Sequence, residues 1–400
     1  MTFQGYVRPD GRVGVRNYLL VVSNSRAAGT LANLVASHVT GARCYVAQSE
    51  YGREARDRAT IARTVRGLAA NPNVGAVLVV GVKPDSGYPE LSRAELVDPI
   101  LALDKPTDCV FLDSCGGFHA ALGEGVRRAR ILAREASRAV RQETDFGRLA
   151  IGIKCGLSDP TSGIAGNLVA GRLVDRLVDA GGVAFFSETT EVIGAEHLVA
   201  RRFADPEERR RFLDAVARTE ATARATGQDI RSINPVPANI AAGVTTLEEK
   251  SLGAVAKSGS RPIRGCLEFA EAPAAPGLHF VDSWMATVSL FLGFTAAGAV
   301  LNIFQVGGGW LPEQDAMMPG HNVGLVAPSI YMTGNPYTYA KAASDVDFDA
   351  GDVIRRTRSL DQVEEELHRH VCSVASGMLT KVETLNVQEQ LEVYMRGPTL

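Results

Sequence analysis

The chain has 400 residues, of which 46% are hydrophobic and 22% are charged, and its formal net charge at pH 7 is −3. This length is too great for one ordinary hydrophobic core, so we expect two domains. The nearly balanced charge gives no basic field to hold a phosphate backbone, which argues against a nucleic-acid partner.

Apolar and amphipathic segments alternate from Asn17 onward. The apolar segments YLLVVSNS, CYVAQ, AVLVVGV and CVFLDS predict strands, and the segments that follow them predict helices over about 27–38, 54–68, 89–103 and 118–140. This βαβα rhythm is typical of a parallel sheet wrapped by helices. We expect it to form a first domain over residues 1–145.

The same rhythm restarts in the second part of the chain. LAIGIK and VAFFSE predict strands on either side of a helix over about 160–180, and residues 203–225 predict a charged surface helix. We expect a second domain over 146–400. The predicted fold class is therefore α/β, with two Rossmann-like parallel-sheet domains that carry helices on both faces.

One uncharged stretch, between Asp282 and Glu313, is long enough to cross a bilayer. Gly293, Gly298 and Asn302 interrupt it, no lysine or arginine anchors flank it, and its second half is typical of a buried strand. We therefore expect no membrane span. The N-terminus lacks the apolar core of a secretory signal, and six scattered cysteines suit a reducing compartment, so we expect a cytoplasmic protein.

The carboxyl ends of parallel strands meet at one edge of a sheet, and ligands bind outside that edge. In the second domain Lys154, Cys155, Ser158 and Asp159 follow one predicted strand. Asp159 is a good N-cap for the helix that begins near Pro160, and capping alone would explain it. Capping does not explain a lysine and a cysteine at the end of a buried strand, so we favour a functional corner.

Two further segments of the second domain carry candidate groups. SETTEVIGAEHL contains Glu188 and Glu191. They either act in the site, as a general base or as ligands of a hard cation, or only stabilise the N-terminus of a helix through its dipole. In TTLEEKSLGAVAKSG, the spacing of Thr246 and Glu249 matches a capping box, which leaves Glu248 and Lys250 free to face a site.

In the loop before the second of these segments, Asn234 and Asn239 either bind hydroxyl groups of a polar substrate or only form turns. No GxGxxG follows the first strand, and GxxxxGK[ST], HExxH and CxxC do not occur. These absences disfavour a nicotinamide enzyme, a P-loop enzyme and a zinc site built from close ligands.

Four motifs in order, GYVRPDGRVGVRNYLLV, IKCGLSDPTSGIAGN, GGVAFFSETTEVIGAEHL and TTLEEKSLGAVAKSG, resemble the altronate and galactarate dehydratase (UxaA-like) family. Its relatives include a sulfolactate sulfo-lyase large subunit. The resemblance implies a carbon-oxygen lyase (hydro-lyase) that removes water or another β-leaving group from a small anionic hydroxy acid through an enediolate. It also implies iron(II) or another divalent metal as cofactor, and either a small extra N-terminal domain or a separate small subunit as partner. For an enzyme of this size we expect a homo-oligomer.

The sequence departs from the family pattern where that pattern has cysteines. The matching positions are Ala27, Arg53 and Pro84, so the thiolates that would hold iron in the first domain are missing, and VGGGWLPEQD replaces a later motif. Arg26, Arg53 and Lys83 follow the strands of the first domain and would instead make a place for an anion. A metal-independent epimerase, isomerase or hydrolase, and a catalytically silent binding subunit, are therefore alternatives.

The leading hypothesis is a lyase in which the cations of the first domain hold a carboxylate or sulfonate of the substrate. If no metal is bound, we expect these cations to stabilise the enediolate and Lys154 or a glutamate to move the proton. The residues predicted to be catalytic are Lys154, Cys155, Asp159, Glu188, Glu191 and Lys250, and those predicted to bind the substrate are Arg26, Arg53, Lys83, Ser158, Asn239 and Glu248.

Overall fold

The computed structural model describes residues 1–85, 87–308, 322–387 and 391–398. Within these ranges the chain has a mixed α/β fold, with two parallel sheets flanked by helices and one small antiparallel sheet. The α/β class predicted from the sequence is confirmed.

The first parallel sheet has four strands. They lie in the order β4-β3-β5-β6 and are connected by helices. Alternate residues of the fully buried β5 contribute to two different cores, one shared with α1 and α4 and the other with α2 and α3. The elements are β3 (Tyr18–Ser23), α1 (Gly29–Ser37), β4 (Ala42–Tyr45), α2 (Ala55–Ala70), β5 (Val74–Gly81), α3 (Asp98–Leu101), β6 (Thr107–Phe111) and α4 (Phe118–Ala136).

The second parallel sheet has seven strands in the order β10-β11-β9-β8-β12-β13-β14. The next three strands in the chain, β9 to β11, lie on one side of β8, and β12 to β14 lie on its other side. The reversal of strand order therefore lies between β8 and β12. Its strands are β8 (Ala150–Gly156), β9 (Val183–Phe186), β10 (Ile263–Leu267), β11 (Gly277–Val281), β12 (Leu301–Val306), β13 (Ser329–Thr333) and β14 (Phe348–Asp349).

Helices cover both faces of this sheet. Apolar residues of α5 and α13 pack on one face, and those of α10 pack on the other. The helices are α5 (Asn167–Asp179), α6 (Glu196–Ala200), α7 (Pro206–Ala225), α8 (Pro237–Ala241), α9 (Leu247–Val255), α10 (Thr287–Ala297), α11 (Pro336–Ala342), α12 (Asp352–Arg355) and α13 (Leu360–Ala375).

The antiparallel sheet was not predicted. It consists of β1 (Thr2–Val7), β2 (Val13–Gly14) and β7 (Gln142–Asp145), with β1 in the middle. The sequence of β7 is QETD, which is polar, mostly exposed and poor in β-branched or aromatic residues, so it gives no strand signal.

The predicted helix over 89–103 is not continuous. The segment forms a 3₁₀ turn at Pro89–Leu91, a π turn at Arg93–Val97 and the short helix α3. Ser92 has an extended backbone and its hydroxyl accepts a hydrogen bond from the Glu95 backbone, so it starts a new helical segment there. Side-chain capping thus outweighs the apolar periodicity.

The long uncharged stretch is divided between α10 and β12, with Gly298 at φ +115° ending the helix. Both elements are buried within the seven-stranded sheet and its cover. None of the helices in the described ranges is both long and apolar enough to cross a membrane.

The two parallel sheets lie side by side, with α2 packed on α10. In the middle of α2, Arg63 forms an ion pair with Glu268, which follows β10. After the end of α2, the Asn71 side chain donates to the carbonyls of Thr295 and Ala299, just before β12. The carboxyl edges of the two sheets therefore face the same side of the molecule.

Candidate functional site

Five buried charged side chains meet at the carboxyl edge of the seven-stranded sheet. Lys154 Nζ lies 2.7 Å from Glu188 Oε1, and Lys257 Nζ contacts Glu188 Oε2. Lys250 Nζ lies 3.0 Å from Glu191 Oε1, and Lys257 Nζ lies 3.8 Å from Glu191 Oε2. Each of the five residues is at most 6% exposed. We call Lys154, Glu188, Glu191, Lys250 and Lys257 the Lys/Glu cluster.

Local backbone geometry positions the two glutamates. Glu188 lies two residues after the end of β9 and has φ +80°, a left-handed conformation that is uncommon for a residue with a side chain. The single 3₁₀ turn Thr189–Glu191 then brings Glu191 to the same side, where its backbone N–H donates to the Glu188 carbonyl. The chain reversal after β9 thus presents both carboxylates to the lysines.

Lys257 belongs to the cluster and was not singled out from the sequence. Lys250 lies in α9, and Lys257 lies in the 3₁₀ turn Ala256–Ser258 that continues it. Their separation of seven residues corresponds to about two helical turns, which puts both side chains on one face. That spacing within TTLEEKSLGAVAKSG is the signal that could have found Lys257.

Three ammonium groups face two carboxylates, so the cluster has an excess of one positive charge when all five groups are ionised. Burial by itself raises the pKa of Glu191, but the charges of Lys250, Lys257 and Lys154 outweigh it and lower the pKa to about 2. Burial lowers the pKa of Lys257, whereas Glu188 and Glu191 outweigh this effect and raise the pKa above the ordinary lysine value. A buried cationic excess favours an anionic ligand.

Cys155 is fully buried beside this cluster. Its thiol donates to Gln305 Oε1 at 3.0 Å, lies 3.1 Å from Ser158 Oγ and accepts from Asn167 Nδ2 at 3.4 Å. Burial raises the pKa of the Cys155 thiol, so the protonated form is favoured at neutral pH. The thiol is therefore placed as a hydrogen-bonding group at the wall of the site.

Asp159 is bonded through both carboxylate oxygens. Oδ1 accepts from the Ser162 backbone at 3.1 Å and from Thr161 Oγ1 at 2.6 Å, as the predicted capping role requires. Oδ2 accepts from the Gly308 backbone and from Asn335 Nδ2, each at 2.7 Å. Asp159 thus ties together the ends of β8, β12 and β13 at the reversal of strand order.

The segment before α9 contributes two amides, Asn234 from a loop and Asn239 from α8. Asn234 Oδ1 accepts a hydrogen bond from Lys250 Nζ at 2.8 Å, and Asn239 Nδ2 donates to the Ser158 carbonyl at 2.9 Å. Glu248 instead lies at the surface, where it accepts from Arg231 Nε at 2.9 Å. The structure brings Asn234 and Asn239 to the site and places Glu248 away from it.

A pocket of about 280 Å³ opens next to the cluster. Its size is just below the usual range for drug-sized ligands, which suits a small metabolite. Two of the three Lys250 N–H groups are used by Glu191 and Asn234, which leaves one for a ligand. Asn167 Oδ1 is buried and has no hydrogen-bond partner among the described residues. The polar side chains that line the pocket are Ser158, Asp159, Ser162, Asn167, Glu249 and Lys250.

Arg26, Arg53 and Lys83 lie at the carboxyl edge of the four-stranded sheet, as predicted. Arg26 and Lys83 are exposed, and Arg53 Nε is buried with no hydrogen-bond partner in the described ranges. Two neighbouring loop residues, Asn24 and Glu50, are buried and each has an oxygen without a partner there. No ion pair or hydrogen bond between described residues connects these cations to the Lys/Glu cluster.

The side chains of the site do not fit a divalent metal. Both carboxylates of the cluster are engaged by lysines, and Cys155 favours the protonated form. Within the described ranges, no three or more His, Cys, Asp or Glu side chains are arranged to hold a metal ion. Residues 309–315 of the VGGGWLPEQD segment lie outside the described residues.

The low pKa of Glu191 predicts a pH dependence of stability. The carboxyl titrates near 4.5 when unperturbed and near 2 in the folded chain, so its stabilising contribution is complete above pH 4.5 and is lost as the pH falls toward 2. We expect the Tm of Glu191→Gln to fall less steeply between pH 5 and about 3 than the Tm of the unchanged chain. Glu249→Gln is the control and should keep the original slope; equal slopes in all three proteins would contradict the assignment.

Comparison with known proteins identifies the family. The family model for the C-terminal part of D-galactarate/altronate dehydratase matches residues 146–399, and the model for the second domain of D-galactarate dehydratase/altronate hydrolase matches residues 5–137. Together the two models cover almost the whole chain.

Individual relatives agree with these models. The chain is 34% identical to the (2R)-sulfolactate sulfo-lyase subunit beta of Chromohalobacter salexigens, over 97% of this chain and 96% of the relative. It is 27% identical to the altronate dehydratase of Bacillus subtilis, over 100% of this chain and 78% of the relative. It is 26% identical to the galactarate dehydratase (L-threo-forming) of Escherichia coli, over 99% of this chain and 77% of the relative. The resemblance predicted from the four motifs is confirmed, and the chain belongs to the D-galactarate/altronate dehydratase family of lyases.

Proposed function

We propose that this chain is a lyase that eliminates water or another β-leaving group from a small anionic 2-hydroxy acid through an enediolate. The proposal rests on the buried Lys/Glu cluster, in which three lysines face two glutamates and Lys250 lines a 280 Å³ pocket. Relatives named for sulfolactate, altronate and galactarate support this substrate class, because each of these acids is an anion with a hydroxyl at C2.

The proposed reaction begins with removal of the proton on C2. The C2–H electron pair first forms a C1=C2 double bond, which gives an enediolate with the added charge on the carboxylate oxygens. That pair then forms the C2=C3 double bond while the bond from C3 to the leaving group breaks with its pair on that group, which departs as sulfite or as hydroxide that takes up a proton to become water. The resulting enol takes a proton at C3 and becomes a 2-keto acid. Negative charge develops on the substrate carboxylate during the first step, and the free N–H of Lys250 donates to one of its oxygens.

Glu191 is the proposed acceptor of the C2 proton. Its Oε2 has no hydrogen-bond partner among the described residues and lies 3.8 Å from Lys257 Nζ. In the free chain the lysines hold the pKa of Glu191 near 2, which makes it a weak base. A bound anion neutralises part of that positive charge and so raises the pKa, giving Glu191 basicity only when the substrate is present.

The remaining predicted residues take supporting roles in this proposal. Lys154 and Lys257 form ion pairs with Glu188 and supply positive charge to the site. Hydrogen bonds of the side chains around the site keep its shape; these residues are Cys155, Ser158, Asp159 and Asn239. Arg26, Arg53 and Lys83 bind the second anionic or polar end of the substrate from the neighbouring sheet edge, which faces the same side of the molecule. Glu248 has no role in the reaction.

We also propose the organisation around this activity. Residues 1–145 and 146–400 form two Rossmann-like domains, each built on one of the parallel sheets. The protein acts in the cytoplasm as a homo-oligomer. A separate small subunit joins it, a proposal supported by the subunit designation of the sulfo-lyase relative.

Product analysis tests the proposed function. The purified chain is incubated with (2R)-sulfolactate, altronate and galactarate, and 2-keto acid, sulfite and stereoisomers of each acid are measured. We expect one acid to yield a 2-keto acid together with sulfite or a molecule of water. Isomerised acid without a keto product would favour an epimerase, and binding of an acid without any conversion would favour a silent binding subunit.

Metal removal gives a further prediction. Lysines occupy the carboxylates of Glu188 and Glu191, which would otherwise be the metal ligands among the described residues. We therefore assign the elimination to protein side chains and not to a metal ion. We expect kcat/KM to stay within about twofold after exhaustive chelation and gel filtration, since the lysines supply the electrostatic stabilisation. Loss of activity on chelation, restored by iron(II) or another divalent ion, would overturn this assignment while leaving the lyase proposal intact.

A further inference from the structure

A short C-terminal segment crosses the shared face of the two sheets. Residues 391–398 begin beside β4, where Gln48 Nε2 donates to the Leu391 carbonyl. Leu391 and Val393 are buried in the core between the two sheets. The segment then reaches the start of α2, where Asp57 accepts from the backbone N–H groups of Arg396 and Gly397 at 3.0 and 2.9 Å. These contacts fix the backbone of Arg396.

The Arg396 side chain continues from this anchor to the seven-stranded sheet. Its guanidinium contacts Asp282 Oδ2, just after β11, and lies 3.3 Å from Glu268 Oε1, just after β10. Asp282 is almost fully buried, and its Oδ2 also contacts Arg218. Asp282 Oδ1 accepts a hydrogen bond from Thr189 Oγ1 at 2.9 Å.

Thr189 lies between the two glutamates of the Lys/Glu cluster. Its backbone N–H donates to the Ser283 carbonyl at 2.9 Å, and its hydroxyl accepts from the Ser283 backbone at 3.3 Å. The preceding residue, Glu188, has the left-handed backbone conformation, which costs energy and persists only where its surroundings hold it. Asp282 and Ser283 provide that restraint.

We propose that Arg396 is a positioning residue for the elimination, which acts through Asp282 and Thr189 to hold the turn that carries Glu188 and Glu191. This inference rests on the proposed function. Arg396 does not touch the Lys/Glu cluster, so its effect is on the geometry of the turn and not on substrate binding. A displacement of about 1 Å in a reacting group can lower a rate by about 100-fold.

A matched pair of arginine variants tests the proposal. Arg63 also forms an ion pair with Glu268 and donates to the Phe269 carbonyl between the same two sheets, but it has no contact with Asp282. We expect Arg396→Ala to lower kcat at least about tenfold with KM changed less than about twofold, and Arg63→Ala to leave both unchanged. Arg396→Lys should restore part of the lost kcat, because its ammonium still pairs with Asp282.

Hydrogen exchange keeps this test separate from the test of the lyase activity. We expect amide exchange in residues 187–192 to accelerate in Arg396→Ala and not in Arg63→Ala, whether or not any of the acids is turned over. If the wild type converted none of the acids, the proposed function would be wrong. Amide exchange in residues 187–192 would still decide whether Arg396 positions the turn. Equal behaviour of the two alanine variants in kcat and in exchange would overturn the positioning role.

A second pair serves if Arg396→Ala does not fold. Thr189→Val removes the hydroxyl that donates to Asp282, whereas Thr189→Ser keeps it. We expect the valine variant to reproduce the loss of kcat and the faster exchange, and the serine variant to resemble the unchanged chain. Equal kcat in the two variants would contradict the role of Asp282 and Thr189.

Discussion

Replacement of Lys250 by methionine is expected to lower kcat/KM by about 100- to 1,000-fold, the usual cost of removing one preorganised donor from a developing anion. Methionine keeps most of the length of the side chain but removes the N–H groups that bind Glu191 and Asn234 and the one that we propose binds the substrate. The loss should fall mainly on kcat, because the donor binds the enediolate more strongly than the ground-state carboxylate. Steady-state kinetics on the acid that the wild type converts is the measurement.

Lys105→Met is the control for this variant. Lys105 is a partly buried lysine of the four-stranded sheet, and its ammonium donates to the carbonyls of Ala69, Asn71 and Val74. Its replacement removes a partly buried amine whose partners are not among the residues that line the pocket, so we expect lower stability and an unchanged kcat/KM per folded molecule. A Lys250→Met enzyme within about threefold of the wild type would remove Lys250 from the chemistry.

Glu188→Gln is expected to cost about 3–5 kcal/mol of unfolding free energy, because it leaves two buried ammonium groups without their shared counterion. Glutamine preserves the size of the side chain, so the change reports the lost charge and not a cavity. Urea unfolding of both proteins, analysed with a common m-value, measures the difference. The variant should also lose most of its activity, since Lys154 and Lys257 are no longer fixed.

Glu207→Gln is the matched control on the surface. Glu207 forms an exposed ion pair with Arg210 within α7, and solvent screens such a pair strongly. We expect no measurable change in the urea midpoint. If Glu188→Gln were as stable as Glu207→Gln, the buried lysines would not depend on Glu188 for their charge balance.

The parallel sheets could be predicted from the sequence because their strands are buried on both faces. AVLVVGV and LAIGIK are continuous apolar segments, and amphipathic segments separate such strands at regular intervals. The segment 89–103 also looked like a continuous helix, yet Ser92 caps a new helical turn within it. The polar strand β7 gave no signal, because its stability comes from pairing with β1 and not from its own composition.

The candidate site could be predicted in part for the same reason. The rule that strand ends share one edge brought Lys154, Glu188 and Glu191 together correctly, since β8 and β9 are adjacent. Lys257 was missed because it follows α9 and not a strand. The sequence also gave no indication of which polar residues hold each other, so the ion pair of Glu248 with Arg231 required the three-dimensional structure.

Loss of the C2 proton into solvent is the direct test of the proposed elimination. Proton NMR in D₂O follows the C2–H signal of the acid that is converted, with the wild type and Lys250→Met compared at equal concentrations of folded protein. We expect the wild type to remove the C2 proton and to form a 2-keto acid that carries deuterium at C3. We expect Lys250→Met to carry out both steps at least about 100-fold more slowly. Retention of the C2 proton in the products of every acid, or equal rates for the two proteins, would contradict the proposed elimination.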